Sequence, residues 1–409
     1  MSDNYLLTNI AHLIGILGPE VSQLKGREMD GLESIHNAFV LVRNGIIVDY
    51  GSMDKCPMLE IETIDLSNKW VMPAFVDSHT HLVFAAPRHN EYVMRINGKT
   101  YAEIAADGGG ILNSAKKLQA LTEDQLFDMA YAHSCKAIQA GTAALEIKSG
   151  YGLTTDSEIK MLRVIKRLKE TLPITVKATF LGAHAFPLEF KENHQGYINL
   201  IINEMLPIIS RENLADFIDV FCDEGFYSVE ETKQILAAAI KIGLKPKIHG
   251  NELGLTGGVQ VAVEFNALSV DHLEHIGDEE INCLKESMTM PVALPGSSFF
   301  LKIPYTPARK IIDVGLPIAL ASDFNPGSSP NYNMWFVWSL ACLYNGMTPT
   351  EGFNALTINA ACAMGIHQTH GSITIGKKAN LIVTRSFEHI NEMPYWFTQN
   401  HVEQIFTSK

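Results

Sequence analysis

The chain has 409 residues, and 32 Lys+Arg against 45 Asp+Glu leave a net charge of −13. With 46% hydrophobic and 19% charged residues it reads as a packed globular protein rather than a disordered one. The acidic balance and the lack of Lys/Arg clusters argue against sequence-independent nucleic-acid binding, although a single local Arg can still hold an anionic substrate.

At the N-terminus, MSDNYLLTNI carries neither a basic n-region nor a long apolar stretch, and no apolar run approaches bilayer thickness. Six cysteines (Cys56, Cys135, Cys222, Cys283, Cys342 and Cys362) lie far apart without a CxxC pair, as buried thiols of a reducing compartment do. A soluble, cytoplasmic protein is expected, with no membrane partner.

Residues 37–51 alternate apolar and polar around Asn44-Gly45, a strong hairpin signal. Residues 67–73 and, near the other end, 379–384 also read as strands. A small β-sandwich accessory domain built from both chain ends, 1–73 and 366–409, accounts for them. It encloses residues 74–365 as one insertion.

Within that insertion, apolar strand candidates fall at 74–76, 143–147, 176–181, 217–221, 246–248, 268–270, 291–294 and 317–321. Helices between them are marked by capping boxes: Thr122 with Gln125, Thr155 with Glu158, Ser228 with Glu231, and Thr348 with Glu351. Pro349 suits a first helical turn, and Gly141 and Gly243 suit helix ends. Eight short buried strands alternating with helices predict an α/β fold, a (β/α)8 TIM-like barrel.

Polar residues cluster at the predicted strand ends. Asp77-Ser78-His79-Thr80-His81 follows the first strand, and in extended backbone His79 and His81 point to one side. His249 follows the fifth strand, His272 ends the sixth and Asp323 ends the eighth. In a barrel these ends meet at one mouth, where three imidazoles and a carboxylate around one divalent ion make a hydrolytic site. Taken singly, each has a plainer explanation. His-x-His is a weak signal in a chain with 15 histidines, His249 alone suits a core histidine, and Asp323 before Phe-Asn-Pro suits a turn. Their joint placement favours the metal site.

The stretch Met72-Pro73-Ala74-Phe75-Val76-Asp77-Ser78-His79-Thr80-His81 resembles the first-strand signature of the amidohydrolase superfamily. Further motifs resemble its imidazolonepropionase family, the ring-opening hydrolases of histidine degradation. They are Gly108-Gly109-Gly110-Ile111, Glu146-Ile147-Lys148-Ser149-Gly150-Tyr151-Gly152, Leu181-Gly182-Ala183-His184, Asp271-His272-Leu273-Glu274, and the run from Ser322-Asp323 to Gly327-Ser328. The resemblance spans about residues 38–385, with EIKSGYG its most specific part.

That resemblance implies hydrolysis of the ring amide of 4-imidazolone-5-propanoate to N-formimidoyl-L-glutamate, one zinc or iron ion per subunit, and a homodimer. Residue by residue it implies His79, His81, His249 and Asp323 as metal ligands. Around substrate it implies Arg88, Tyr151, His184, Glu252, Asn325, Gly327 and Ser328, with His272, Glu252 and Asp323 sharing proton transfer. Ser328 stands where many relatives carry Thr, and Glu252 where some carry Gln. The carboxylated lysine that bridges two metals elsewhere in the superfamily belongs to the fourth strand, which here ends Val220-Phe221-Cys222-Asp223. Lys148 follows the second strand, so one metal is expected. His275 reads as a loop or helix residue, and the Gly108–Gly110 run as a turn or lid rather than a phosphate cradle. Two other readings stay open: a deaminase of the same superfamily acting on a nucleobase or on formimidoylglutamate, and a non-catalytic scaffold.

Overall fold

The structure, a computed structural model, describes residues 3–99, 103–104 and 109–409. Gly108 lies outside the described residues. Among them fifteen strands form two sheets. Five strands come first: β1 (Tyr5–Ile14), β2 (Ser34–Arg43), β3 (Ile46–Ser52), β4 (Glu62–Asp65) and β5 (Lys69–Pro73). The expected hairpin joins β2 to β3. Asn44 and Gly45 both take positive φ, 51° and 70°, which a two-residue turn matched to strand twist requires.

Eight strands follow: β6 (Phe75–Asp77), β7 (Thr142–Lys148), β8 (Thr175–Ala183), β9 (Phe217–Cys222), β10 (Lys245–Gly250), β11 (Ser269–His272), β12 (Met290–Ala293) and β13 (Ala319–Leu320). Each overlaps one of the eight predicted segments. They are parallel and neighbour one another in chain order. The last two, β14 (Leu381–Arg385) and β15 (Val402–Phe406), return to the first sheet, where β14 pairs with β5. The chain ends thus share one seven-stranded sheet around a core that includes Leu7, Val40, Val71 and Val383.

Barrel closure uses the segments just beyond β6 and β13. The amide of Asp323 donates to the His79 carbonyl at 3.0 Å, and that of His81 to the Phe324 carbonyl at 2.9 Å. The Asp77 carboxylate accepts from the Ser322 amide (3.0 Å) and hydroxyl (2.5 Å). The closure therefore carries His79 and His81 beside Asp323.

Three of the predicted capping boxes are present, at Thr122, Ser228 and Thr348. The fourth is not. Thr154, not Thr155, caps the helix Thr155–Thr171. Glu158 instead turns inward, and its carboxylate accepts the amides of Gly150, Gly152 and Leu153 at 2.9, 2.7 and 3.0 Å. A buried acceptor serving three otherwise orphaned amides outcompetes one exposed cap bond. Gly141 and Gly243 follow helix ends with φ of 105° and 90°, as the left-handed exit requires. Gly109 precedes the helix Gly110–Ala120, whose first amide donates to Glu91 at 3.0 Å.

Apolar packing lies between strands and surrounding helices. The barrel interior is different: Lys148 and Lys247 are among the largest fully buried side chains.

Candidate active site

His79 and His81 leave β6 on one side, and His249 rises from β10 beside them. Nε2 of His81 lies 3.3 Å from Nε2 of His79 and 3.3 Å from Nε2 of His249. Four donors at 2.0–2.1 Å around a tetrahedral ion stand about 3.3–3.4 Å apart along each edge. The buried imidazoles already hold that spacing, so the donor set fits a zinc-sized ion. Oδ1 of Asp323 lies 3.6 Å from Nε2 of both His79 and His81.

Electrostatics favours the same use. Burial, helped by the neighbouring imidazoles and Lys148, holds His79 and His81 well below the ordinary histidine range. Burial also lowers His249 to about 4. Neutral imidazole is the form that ligates a metal. Each outer nitrogen of two of these rings meets a carboxylate: His79 Nδ1 lies 2.5 Å from Asp271, and His249 Nδ1 lies 2.9 Å from Asp219.

His272 ends β11 with φ of 88°, and Asp323 has φ of 50°. Non-glycine residues take this conformation only where surroundings enforce it, commonly at sites of function. Here the Thr306 hydroxyl donates to the His272 carbonyl at 2.6 Å. The ring of His272 sits between Glu252, 3.7 Å from Nε2, and Glu274, 3.5 Å from Nδ1. Burial opposes charge on His272, but Glu252, Glu274 and Asp323 together outweigh it and raise its pKa. Burial raises Glu252 to about 7, with Glu274 and Asp323 adding to the shift.

Arg88 caps the helix His89–Ile96 on the loop that leaves β6. Its Nε donates to Ser114 at 2.8 Å, and its guanidinium carbon lies 5.7 Å from the Tyr151 ring. His184 stacks on His81 with centroids 5.2 Å apart, 5.5 Å from Tyr151, and burial lowers it to about 3. Tyr151 and His184 thus bridge Arg88 and the imidazole cluster. On the eighth loop, Asn325 accepts the amides of Gly327 and Ser328 and donates to Asp323 O and Ser328 Oγ, all within 2.8 Å. Its amide group is therefore engaged in holding the loop, while Ser328 Oγ reaches Asp323 at 3.4 Å. His275 lies in a loop, its amide bonded to Asn251 O.

Sequence reasoning left out the residues behind these rings: Asp219, Asp271, Glu274 and the Ser114 partner of Arg88. A signal existed for Asp219, a lone charge in the otherwise apolar strand Phe217–Cys222.

The sequence profile of the Amidohydrolase family matches residues 70–406. This chain belongs to that family and has an eight-stranded parallel barrel. A relative from Flavobacterium johnsoniae, an imidazolonepropionase, is 53% identical over 401 residues, covering 98% of each chain. That degree of identity places the chain among the imidazolonepropionases, which are hydrolases. Solved structures reach further out. A triazine hydrolase variant superimposes with a TM-score of 0.77 at 14% identity, covering 99% of this chain and 94% of that one. An adenosine deaminase from Xanthomonas campestris, solved with bound zinc, gives 0.71 at 14%, covering 99% and 91%. At such identities the likeness speaks to the fold alone. Among the described residues, no helix is long and apolar enough to cross a membrane.

Proposed function

We propose that this protein hydrolyses the ring amide of 4-imidazolone-5-propanoate, giving N-formimidoyl-L-glutamate. The observation that carries the reading is the placement of the half-buried Arg88 guanidinium across Tyr151 and His184 from three imidazoles at metal-edge spacing. A substrate with an anionic arm and a reactive ring would span that distance.

His79, His81, His249 and Asp323 are taken as ligands of one zinc or iron ion; the donor set suits both. Such an ion, when bound, lowers the pKa of a coordinated water towards ~7 and polarises a carbonyl. Arg88 offers a fork for the propionate, and Tyr151 and His184 flank it. Gly327 keeps room for the guanidinium, since a Cβ there would stand 2.5 Å from Nη1. The attacking water oxygen bonds to the ring carbonyl carbon, and the ring carbon–nitrogen bond breaks. The water's proton passes to the released nitrogen, a poor leaving group unless protonated. His272 donates a hydrogen bond to the oxygen on which charge develops. Glu252, raised to about 7 by burial, is placed to accept and return a proton beside it. Asp323 orients the water.

The division into an accessory unit (1–73 and 366–409) and a catalytic unit (74–365) belongs to the same reading. It is supported by the position of every proposed ligand inside the second unit. The homodimer implied by the family resemblance is tested by sedimentation equilibrium.

The test of function supplies freshly made imidazolone propionate, follows its ultraviolet absorbance and assays ammonia in parallel. Loss of absorbance without ammonia is the expected result. Ammonia release in step with turnover would assign a deaminase instead.

A further inference from the structure

Beneath the imidazole cluster lies a closed set of five buried charged groups from four strands: Glu146 and Lys148 on β7, Asp219 on β9, Lys247 on β10 and Asp271 on β11. Lys148 Nζ donates to Glu146 at 2.5 Å and to Asp219 at 2.8 Å. Lys247 donates to the other oxygen of Glu146 and, at 2.8 Å, to the carbonyl of Ser78, the residue before His79. Both ammonium groups also face Asp271 Oδ2, at 4.0 and 3.8 Å. The Thr179 hydroxyl completes Glu146, and the Ser269 hydroxyl completes Asp271.

Buried ions at this depth are costly, and apolar residues of similar volume would fill the barrel with less penalty. The arrangement therefore calls for a reason beyond packing. Its two outermost carboxylates, Asp271 and Asp219, are the ones that meet Nδ1 of His79 and His249. Asp219 also accepts the His249 amide at 3.0 Å, fixing the backbone as well as the ring. A carboxylate that accepts from Nδ1 forces the proton onto that nitrogen and leaves Nε2 as a lone-pair donor. Each carboxylate can do this only if it is fixed in place, and the nearest ammonium groups are the two lysines: Lys148 donates to Asp219 at 2.8 Å, and both stand 4.0 and 3.8 Å from Asp271.

We infer that Lys148 and Lys247 are positioning residues for the metal centre. They pin Asp219 and Asp271, which in turn hold His249 and His79 with Nε2 aimed at the ion. The five charges already sum to −1, so removing one lysine takes the set to −2 and strips a carboxylate behind a ligand of its nearest cation. This also explains why Glu146 and Lys148 stand two apart in EIKSGYG: alternate strand positions face the barrel interior.

The inference rests on the ligand assignment proposed above, and the two fail separately. Full-length wild type, Lys148→Met, Lys247→Met, His249→Ala and a Glu158→Gln control are titrated with zinc against a competing chelator, with circular dichroism to establish folding. The lysine variants are expected to bind zinc 10–100-fold more weakly, the usual effect of losing a ligand's supporting partner, with KM little changed at saturating zinc. Glu158→Gln, another buried carboxylate, should keep wild-type affinity. If His249→Ala retains zinc, the ligand assignment fails. If His249→Ala loses zinc while folded lysine variants keep wild-type affinity, this inference alone is overturned. Should neither lysine variant fold, nitrogen-15 histidine spectra of zinc-loaded wild type decide the matter. Protonated, hydrogen-bonded Nδ1 atoms on His79 and His249 are expected, and an unprotonated Nδ1 on either ring overturns it.

Discussion

Nε2 of His272 faces a carboxylate oxygen of Glu252 at 3.7 Å, although the two residues leave different barrel strands. Glu274 closes on the other ring nitrogen and is itself fixed by the Ser298 hydroxyl at 3.1 Å. This holds the imidazole beside the proposed metal without enlisting it as a ligand.

The first prediction follows from that placement. His272→Asn should keep its metal and lose roughly 10²-fold or more in kcat, the scale of a general acid–base group. Metal analysis beside steady-state kinetics checks it. A variant that loses metal in proportion to activity would move His272 into the coordination sphere.

The ligands themselves give the second prediction. His249→Ala removes one corner of the 3.3 Å cluster, so metal occupancy and turnover should fall together. Near-normal turnover with full occupancy would exclude His249 from coordination.

Much of this was legible in the chain because the barrel signals are local. Each strand is a short apolar run bounded by turn residues, and the helix starts at Thr122, Ser228 and Thr348 depend on partners three residues away. His79 and His81 announce themselves by alternate spacing. The ion set behind them does not, because its pairings join residues far apart: Lys148 with Asp219 across 71 positions, Lys247 with Glu146 across 101. Glu158 departs from its local pattern for a related reason. A Thr-x-x-Glu pattern satisfies the local rule, and only the folded loop offers the three amides that draw the carboxylate away.

Glu158 supplies the third prediction. Its carboxylate fixes the loop that carries Tyr151, and Glu158→Ala would leave three loop amides without acceptors. The expected cost is about 2–4 kcal/mol of stability. It should be accompanied by a higher KM as Tyr151 loosens. Denaturant unfolding with parallel kinetics measures both, and an unchanged midpoint would mean that water replaces the carboxylate.

A fourth prediction concerns pH. Lys377 is buried, hydrogen-bonded to Ser372 Oγ and His370 O, and burial lowers its pKa to about 8. A lysine whose folded pKa lies below its unfolded value penalises the fold while protonated. The penalty is full below pH 8 and fades as pH rises towards ~10.4, with an upper limit of about 3 kcal/mol. Lys377→Met should therefore gain most over wild type near pH 7, and the gap should narrow by pH 9.5. Melting temperatures of both proteins across that range test it; a gap independent of pH would show that Lys377 does not titrate there.

The last prediction concerns how the substrate's carboxylate is held. Arg88 is anchored through Nε by Ser114 and leans on Tyr151, with Nη1 lying over the open face of Gly327. A chain of net charge −13 would otherwise tend to repel an anion, so a local cation must overcome that field. Arg88→Lys keeps the charge and loses the fork, while Arg88→Met loses both. If Arg88 grips substrate and transition state equally, both changes raise KM more than they lower kcat. For the half-buried guanidinium the loss in the Met variant should be on the order of 2–3 kcal/mol in kcat/KM. Gly327→Ala gives an independent approach to the same contact. Its Cβ would stand 2.5 Å from Nη1, so the guanidinium must move while its charge remains. KM should rise in that variant too, with kcat and metal content nearly unchanged. Unaltered kcat/KM in both Arg88→Met and Gly327→Ala would mean that the carboxylate is held elsewhere, with the Ser328 hydroxyl on the same loop the next group to replace.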